Sequence, residues 1–221
     1  MSRGPNYRIV LSERLQGGNP LQHELDARVL SGPPTAVRVE LEHVRFARPS
    51  GLAFLYVLVY TLVDLGHSVA LSEPADPSAR GYIRRTNFWS MLGSHGFTVP
   101  DEWRGFNLGR APGLIECSLL TTDAGLDENM ESSLLSYDRL RKAMAQAGLE
   151  GRDRAASVFA ELAGNAAEHS RSERGAFAAA QAYPQLGVIE VAIADCGIGV
   201  RRALNDPDLS TDADAIRAAL T

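Results

Sequence analysis

The run Leu52-Ala53-Phe54-Leu55-Tyr56-Val57-Leu58-Val59-Tyr60-Thr61-Leu62-Val63 carries no charged side chain, and it restricts the fold of this chain more than any other feature. It is shorter than the ~20 residues a membrane span requires, so a helix buried in a protein core is the better account. Upstream, Ala36 to Phe46 contains a period-2 alternation that places Val37, Val39 and Leu41 on one strand face. Pro49-Ser50-Gly51 breaks that strand and caps the helix, Gly66 stops it, and His67-Ser68-Val69-Ala70-Leu71 returns as a strand. Strand, crossover helix and strand make a βαβ unit, which implies a small parallel or mixed sheet. Tyr82 to Leu92 reads as a second helix, closed by Gly93. A length of 221 residues predicts one or two domains, and 45% hydrophobic residues are enough for a core.

Gly105, Gly109, Pro112 and Gly113 interrupt any long periodicity, so the boundary between two halves falls within Pro100 to Gly113, dividing the chain into 1–104 and 113–221. Beyond it, Leu114 to Leu120 reads as a strand and Ser132 to Ala147 as a helix ending at Gly148. Arg152 opens a further helix, in which Val158, Phe159, Leu162, Ala163 and Ala166 form an apolar stripe. Glu161, Asn165 and His169 are then i, i+4 and i+8, stacked along one edge of that helix. An amide oxygen is a hard donor suited to Mg²⁺, which keeps several waters and is completed by substrate phosphates. Glu161 is placed to orient or deprotonate a water near a terminal phosphate. A solvated helix edge explains the same residues about as well when they are taken alone.

Ala176 to Tyr183 reads as a strand, Pro184-Gln185-Leu186-Gly187 as turn material, and Val188 to Ala194 as a strand buried on at least one face and ending in Asp195. A carboxylate at a strand end, followed by Gly197 and Gly199, can accept a hydrogen bond from an amino group such as adenine N6 while the loop wraps the ring. A plain strand-to-turn Asp-x-Gly remains the alternative.

Helix, hairpin and Asp-x-Gly-x-Gly, in that order, resemble the GHKL ATPase superfamily of histidine kinases, gyrase-type topoisomerases, heat-shock chaperones, mismatch-repair proteins and anti-sigma-factor kinases. Its N-box resembles Glu161 through His169, and its first glycine box Asp195 through Gly199. The resemblance implies an α/β sandwich of the Bergerat type with Mg-ATP between sheet and helices. It also implies Asn165 as the Mg²⁺ ligand, Glu161 as the base, Asp195 as the adenine reader, Gly197 and Gly199 as shapers of the adenine loop, and His169 at the pocket end of the motif helix. In that superfamily a lid and a second glycine-rich box follow, cradling phosphates through backbone amides. Here no Gly follows Gly199 and the sequence stops at Thr221, so a truncated or a degenerate domain is expected. Asp206 to Ser210 reads as a loop and cap, and Asp212 to Leu220 as a short helix.

The first half, over about Ala36 to Phe97, resembles a STAS domain through Phe46-Ala47-Arg48-Pro49-Ser50-Gly51-Leu52 and Asp64-Leu65-Gly66. In that family a Ser opening the helix is phosphorylated by a partner GHKL kinase, and Ser50 holds that position, although Arg48-Pro49 replaces the usual Asp-Ser pair. Helix capping is the alternative reading of Ser50.

A net charge of −5 argues against nucleic acid as an obligate partner. Cys117 and Cys196 are too few for a disulfide framework, and neither they nor the five His have metal-ligand spacing. Cys196 reads as a small packing residue in the pocket loop, and no nucleophile elbow is present. Met1 to Pro20 lacks the apolar core of a signal peptide, so a cytoplasmic location without membrane association is expected. The fold class expected is α/β (α+β), a STAS-like βαβ domain followed by a GHKL sandwich. The function expected is an ATP- and Mg²⁺-binding bacterial signalling protein with a protein partner, acting as a switch or a serine/protein kinase, with a non-catalytic pseudo-ATPase interaction module as the rival. Oligomeric state stays open, a homodimer included.

Overall fold

In the computed structural model, which describes residues 7–17, 27–94, 96–104, 114–120, 140–146, 148–172, 174–206, 208 and 210–219, the apolar run lies inside a helix that links two parallel strands. Strands β1 (Tyr7–Val10), β3 (Ala36–Glu40) and β5 (Ser68–Leu71) form a parallel sheet with β3 in the middle. The short β2 (Arg14–Leu15) pairs in parallel with β4 (Phe46–Ala47), and α1 (Ala27–Ser31) precedes β3. Helix α2 (Pro49–Asp64) lies between β3 and its parallel partner β5, after the short β4, which completes the expected βαβ unit. It ends where anticipated, with Gly66 N donating to the Val63 carbonyl and His67 N to that of Leu62.

Leu52, Leu55, Tyr56, Val59 and Leu62 are fully buried, so α2 has apolar contacts around most of its circumference. Each such side chain contributes ~1.5–3 kcal/mol by leaving water. The helix needs two surfaces to cover it, and it packs on both β5 and the second sheet. That sheet is antiparallel: β6 (Leu114–Leu120), β7 (Ala176–Tyr183) and β8 (Val188–Asp195), with β7 central. The hairpin turns at Pro184–Leu186 and Gly187, as the sequence predicts.

Period-2 alternation divides the faces of β7 and β8 cleanly. Phe177, Ala179, Ala192 and Ala194 belong to the core around α2, where Phe177 stacks on Tyr56 with ring centroids 5.5 Å apart. Ala176, Ala178, Ala180, Val191 and Ile193 face a second core with helical residues 140–146 (α5) and α6 (Arg152–His169). The fold is therefore mixed α/β, with separate parallel and antiparallel sheets, and residues from both halves share the core around α2. Among the described residues no helix is long and apolar enough to cross a membrane.

Four local expectations are corrected. Tyr82 to Leu92 is two helices, α3 (Pro77–Arg85) capped by Asp76, and α4 (Phe88–Ser94). They break at Asn87, whose φ is 64°, and the break leaves the Thr86 carbonyl to accept from Cys117 N of β6 at 2.7 Å. Ser50 does not cap α2: Arg48 holds the N-cap position, Pro49 starts the helix, and the Ser50 side chain turns to β8 instead. On α6, Phe159 and Ala163 are buried, but Val158 and Leu162 are 53% and 51% exposed, because the Ala-lined face of β7 and β8 covers only one side of the helix. Thr211, rather than a residue of 206–210, caps the last helix, α8 (Asp212–Ala219), through Asp214 N. The expected helix over Ser132 to Ala147 is described only at 140–146, and residues 105–113 of the boundary segment lie outside the described residues.

Candidate functional site

Asp195 is the last residue of β8, and the chain turns directly after it. Its Oδ1 accepts from Gly197 N at 2.8 Å, an Asx turn that fixes the carboxylate at the strand end. Ile198 N donates to the Ser170 carbonyl at 2.9 Å, so the loop is bonded to the C-terminal end of α6. A Cβ on Gly197 would overlap that same Ser170 carbonyl oxygen, so glycine is required by close approach. Gly199, at φ 77° and ψ 158°, adopts a conformation reserved for glycine and leads into α7 (Val200–Leu204).

These elements surround a cleft of about 1000 Å³. Leu162, Asn165 and Ala166 of α6 form one wall, and Val191, Ile193 and Asp195 of β8 the floor. Gly199, Val200, Ala203 and Leu204 close one end, while Ser50 and Ala53 of α2 reach it around the outer edge of β8. Asn165, Asp195 and Gly199 are thus brought together. Gly197 supports the cleft from beneath through its bond to Asp195. Glu161 is exposed and is not among the residues lining the cleft. His169 ends α6, and its side chain lies outside the described residues.

The lining is mainly apolar, and among the described residues Asp195 is its one ionisable side chain, with no Lys or Arg. Among the described residues no group of three His, Cys, Asp or Glu could hold a metal. Asn165 offers one hard oxygen donor, suited to Mg²⁺ that arrives with phosphates and waters and poorly suited to a resident ion. Burial, with Asp64 and Asp195 nearby, pushes the Cys196 thiol up to about 12, so it packs as a neutral group, as the sequence suggests.

Two contributions lie outside the motifs. Ala53 and the α7 residues are ordinary apolar positions in sequence, and only the tertiary arrangement brings them to the cleft. Glu190 did carry a signal: it is a lone charge on the Ala192 and Ala194 face of β8, and a half-buried charge on an apolar face demands a partner. It has three. Ser50 Oγ donates to its Oε1 at 2.6 Å, Ser50 N to the same oxygen at 3.1 Å, and Arg48 Nη1 to its Oε2 at 3.4 Å. Comparison of the chain with protein-family models, curated proteins and solved structures finds no match.

Proposed function

We propose that the cleft binds an adenine nucleotide with Mg²⁺ and that the protein is a cytoplasmic regulatory module of GHKL type acting on a protein partner. The observation that carries this reading is the convergence of Asn165 from one motif with Asp195 and Gly199 from the other on one cleft of about 1000 Å³. The apolar floor of Val191 and Ile193 suits a planar base, Asp195 suits its amino group, and Asn165 suits a phosphate-borne Mg²⁺. With no cationic side chain lining the cleft among the described residues, phosphate charge there depends on the metal, so affinity for ATP should be Mg²⁺-dependent.

The exposed Glu161, away from the lining, favours binding over hydrolysis and keeps the non-catalytic interaction module as the second reading. A phosphoacceptor role for Ser50 requires its hydroxyl to leave Glu190. Titration calorimetry with Mg²⁺ and a non-hydrolysable ATP analogue tests the proposal. Asn165→Ala and Asp195→Ala should each weaken binding at least about tenfold, as expected when a binding site loses a polar partner. Wild-type affinity in both variants rejects it, and ATP turnover by the wild type that Glu161→Gln abolishes rejects the second reading.

A further inference from the structure

Helix α2 is tied at both ends to the segment that carries β7 and β8, but the two ties differ. At its C-terminal end, Asp64 pairs with Arg174 at 2.6 Å in an exposed setting away from the cleft lining. At its N-terminal end the tie is built around Glu190, whose side chain is only 19% exposed. There the Ser50 hydroxyl accepts from Gly17 N at 2.7 Å and donates to Glu190 at 2.6 Å, joining the β2 loop, α2 and β8 at one atom. Arg48 completes the cluster, lying over the rings of Tyr183 at 5.1 Å and Phe46 at 5.3 Å. Its buried Nε has no hydrogen-bond partner among the described residues, so the guanidinium depends on Glu190 and the two rings. Ser50 is also a lining residue of the cleft, while Glu190 is not.

We infer that Glu190 is a positioning residue that holds Ser50 and the first turn of α2 in place as a wall of the nucleotide cleft, so that the Ser50–Glu190 bond and ligand binding are coupled; the coupling rests on the nucleotide reading above. Glu190 reaches the ligand only through Ser50 and the α2 backbone. Because coupling is reciprocal, a ligand that needs this wall also tightens the bond that builds it. The acceptor on Glu190 is a carboxylate, which makes the bond stronger than a neutral pair and makes its loss costly at a part-buried site.

The test uses the full chain with Mg²⁺ and a non-hydrolysable ATP analogue, and reads both calorimetric affinity and hydrogen exchange over residues 48–54 and 188–195. Glu190→Ala should weaken binding by about tenfold and Ser50→Ala, which leaves the Ser50 N bond to Glu190 in place, by somewhat less, and the double variant should lose no more than Glu190→Ala alone, as for two residues acting through one contact. Exchange in the first turn of α2 should rise in both variants and fall in the wild type on adding ligand. Ser50→Thr and Glu190→Asp, which keep hydroxyl and carboxylate, should recover most of the affinity, a rescue that a purely space-filling role would not give. Arg174→Ala, at the other end of α2, should leave affinity within about twofold, as an exposed pair away from the site does. Additive losses, no rescue, or unchanged exchange in Ser50→Ala overturn the inference, and Ser50→Ala decides it should Glu190→Ala fail to fold. A wild type that binds no nucleotide overturns the coupling and the functional reading together. A wild type that binds, with the latch variants unaffected, overturns the coupling alone.

Discussion

Helices α2 and α6 both border the cleft, yet they are held in different ways. Helix α2 buries large side chains, Tyr56, Tyr60, Leu55 and Leu62 among them, and is tied by side-chain bonds to β8 at one end and to Arg174, in the turn before β7, at the other. Tyr56 adds a hydrogen bond from its hydroxyl to the Arg174 carbonyl at 3.0 Å. Helix α6 starts at Gly151 with no side-chain cap, sets Phe159 and Ala163 against alanine methyls of β7, and leaves Val158 and Leu162 half exposed. Alanine faces bury little area per residue, so the same length of helix gains less from packing. The cleft therefore has one firmly anchored wall and one that opens at lower cost, the arrangement expected where a ligand must enter.

The largest test of this contrast is a pair of substitutions. Leu62→Ala, at a fully buried site of α2, should cost ~2–5 kcal/mol, whereas Leu162→Ala, 51% exposed on α6, should cost less than ~1 kcal/mol. Urea unfolding monitored by circular dichroism measures both. Leu162→Ala should nevertheless weaken ligand binding, since Leu162 lines the cleft. Equal stability losses at the two positions would remove the distinction between the walls. Next in size is Gly197→Ala, whose Cβ meets the Ser170 carbonyl that holds the loop against α6. It should destabilise by ~1–3 kcal/mol, the cost of a local overpacking strain, and should reduce nucleotide affinity by moving Asp195. An unfolding midpoint and an affinity both equal to wild type would show that the loop has room the structure does not give it.

The same contrast explains what could be read from the sequence. The strands Ala176–Tyr183 and Val188–Asp195 were legible because alternation and the Pro184 to Gly187 turn are local signals, and the βαβ unit was legible because an uncharged helix must be enclosed. Asn165 and Asp195 were legible as a pair because motif order carries information that neither residue has alone. Ser50 was misread because its position relative to the helix start looks like a cap, while its partner lies far away at Glu190 on another sheet. Val158 and Leu162 were misread because apolar periodicity records which residues share a face and leaves open how wide the covering surface is. The carbonyl freed by the break at Asn87 is taken by the Cys117 amide, a tertiary partner that no window around residue 87 contains.

A third test uses pH, because two tyrosines mark the two ends of α2. Burial pushes Tyr60 up to about 12, with Arg174 opposing and Cys196 and Asp64 reinforcing. Burial likewise pushes Tyr183 up to about 12, with Glu190 reinforcing and Arg48 opposing. Folding here favours the neutral phenol, so the stabilisation is complete below the ordinary tyrosine value near ~10 and is lost as pH climbs through about 12. Stability followed by urea midpoint should begin to fall near pH ~9, where the Cys196 thiol starts to ionise in the unfolded chain, and fall more steeply above ~10, with Tyr60→Phe and Tyr183→Phe each reducing the slope of the steeper part. A slope unchanged in both variants would place the alkaline weakness elsewhere than at the ends of α2.

The smallest expected effect separates the two ties. Asp64→Asn removes the exposed pair with Arg174, whose side chains are 45% and 35% accessible, and should cost at most ~1 kcal/mol. That loss should shrink further in high salt, since an exposed pair is already screened near physiological ionic strength. The Arg48–Glu190 pair has side chains only 32% and 19% accessible and shares its carboxylate with Ser50, so its contribution should persist in the same salt series. The difference in salt response, read from denaturation midpoints of Asp64→Asn and Glu190→Gln, isolates burial from charge. Identical salt dependence would mean that the two ends of α2 are held alike, and the Glu190 end would then have no special claim to set the wall of the cleft.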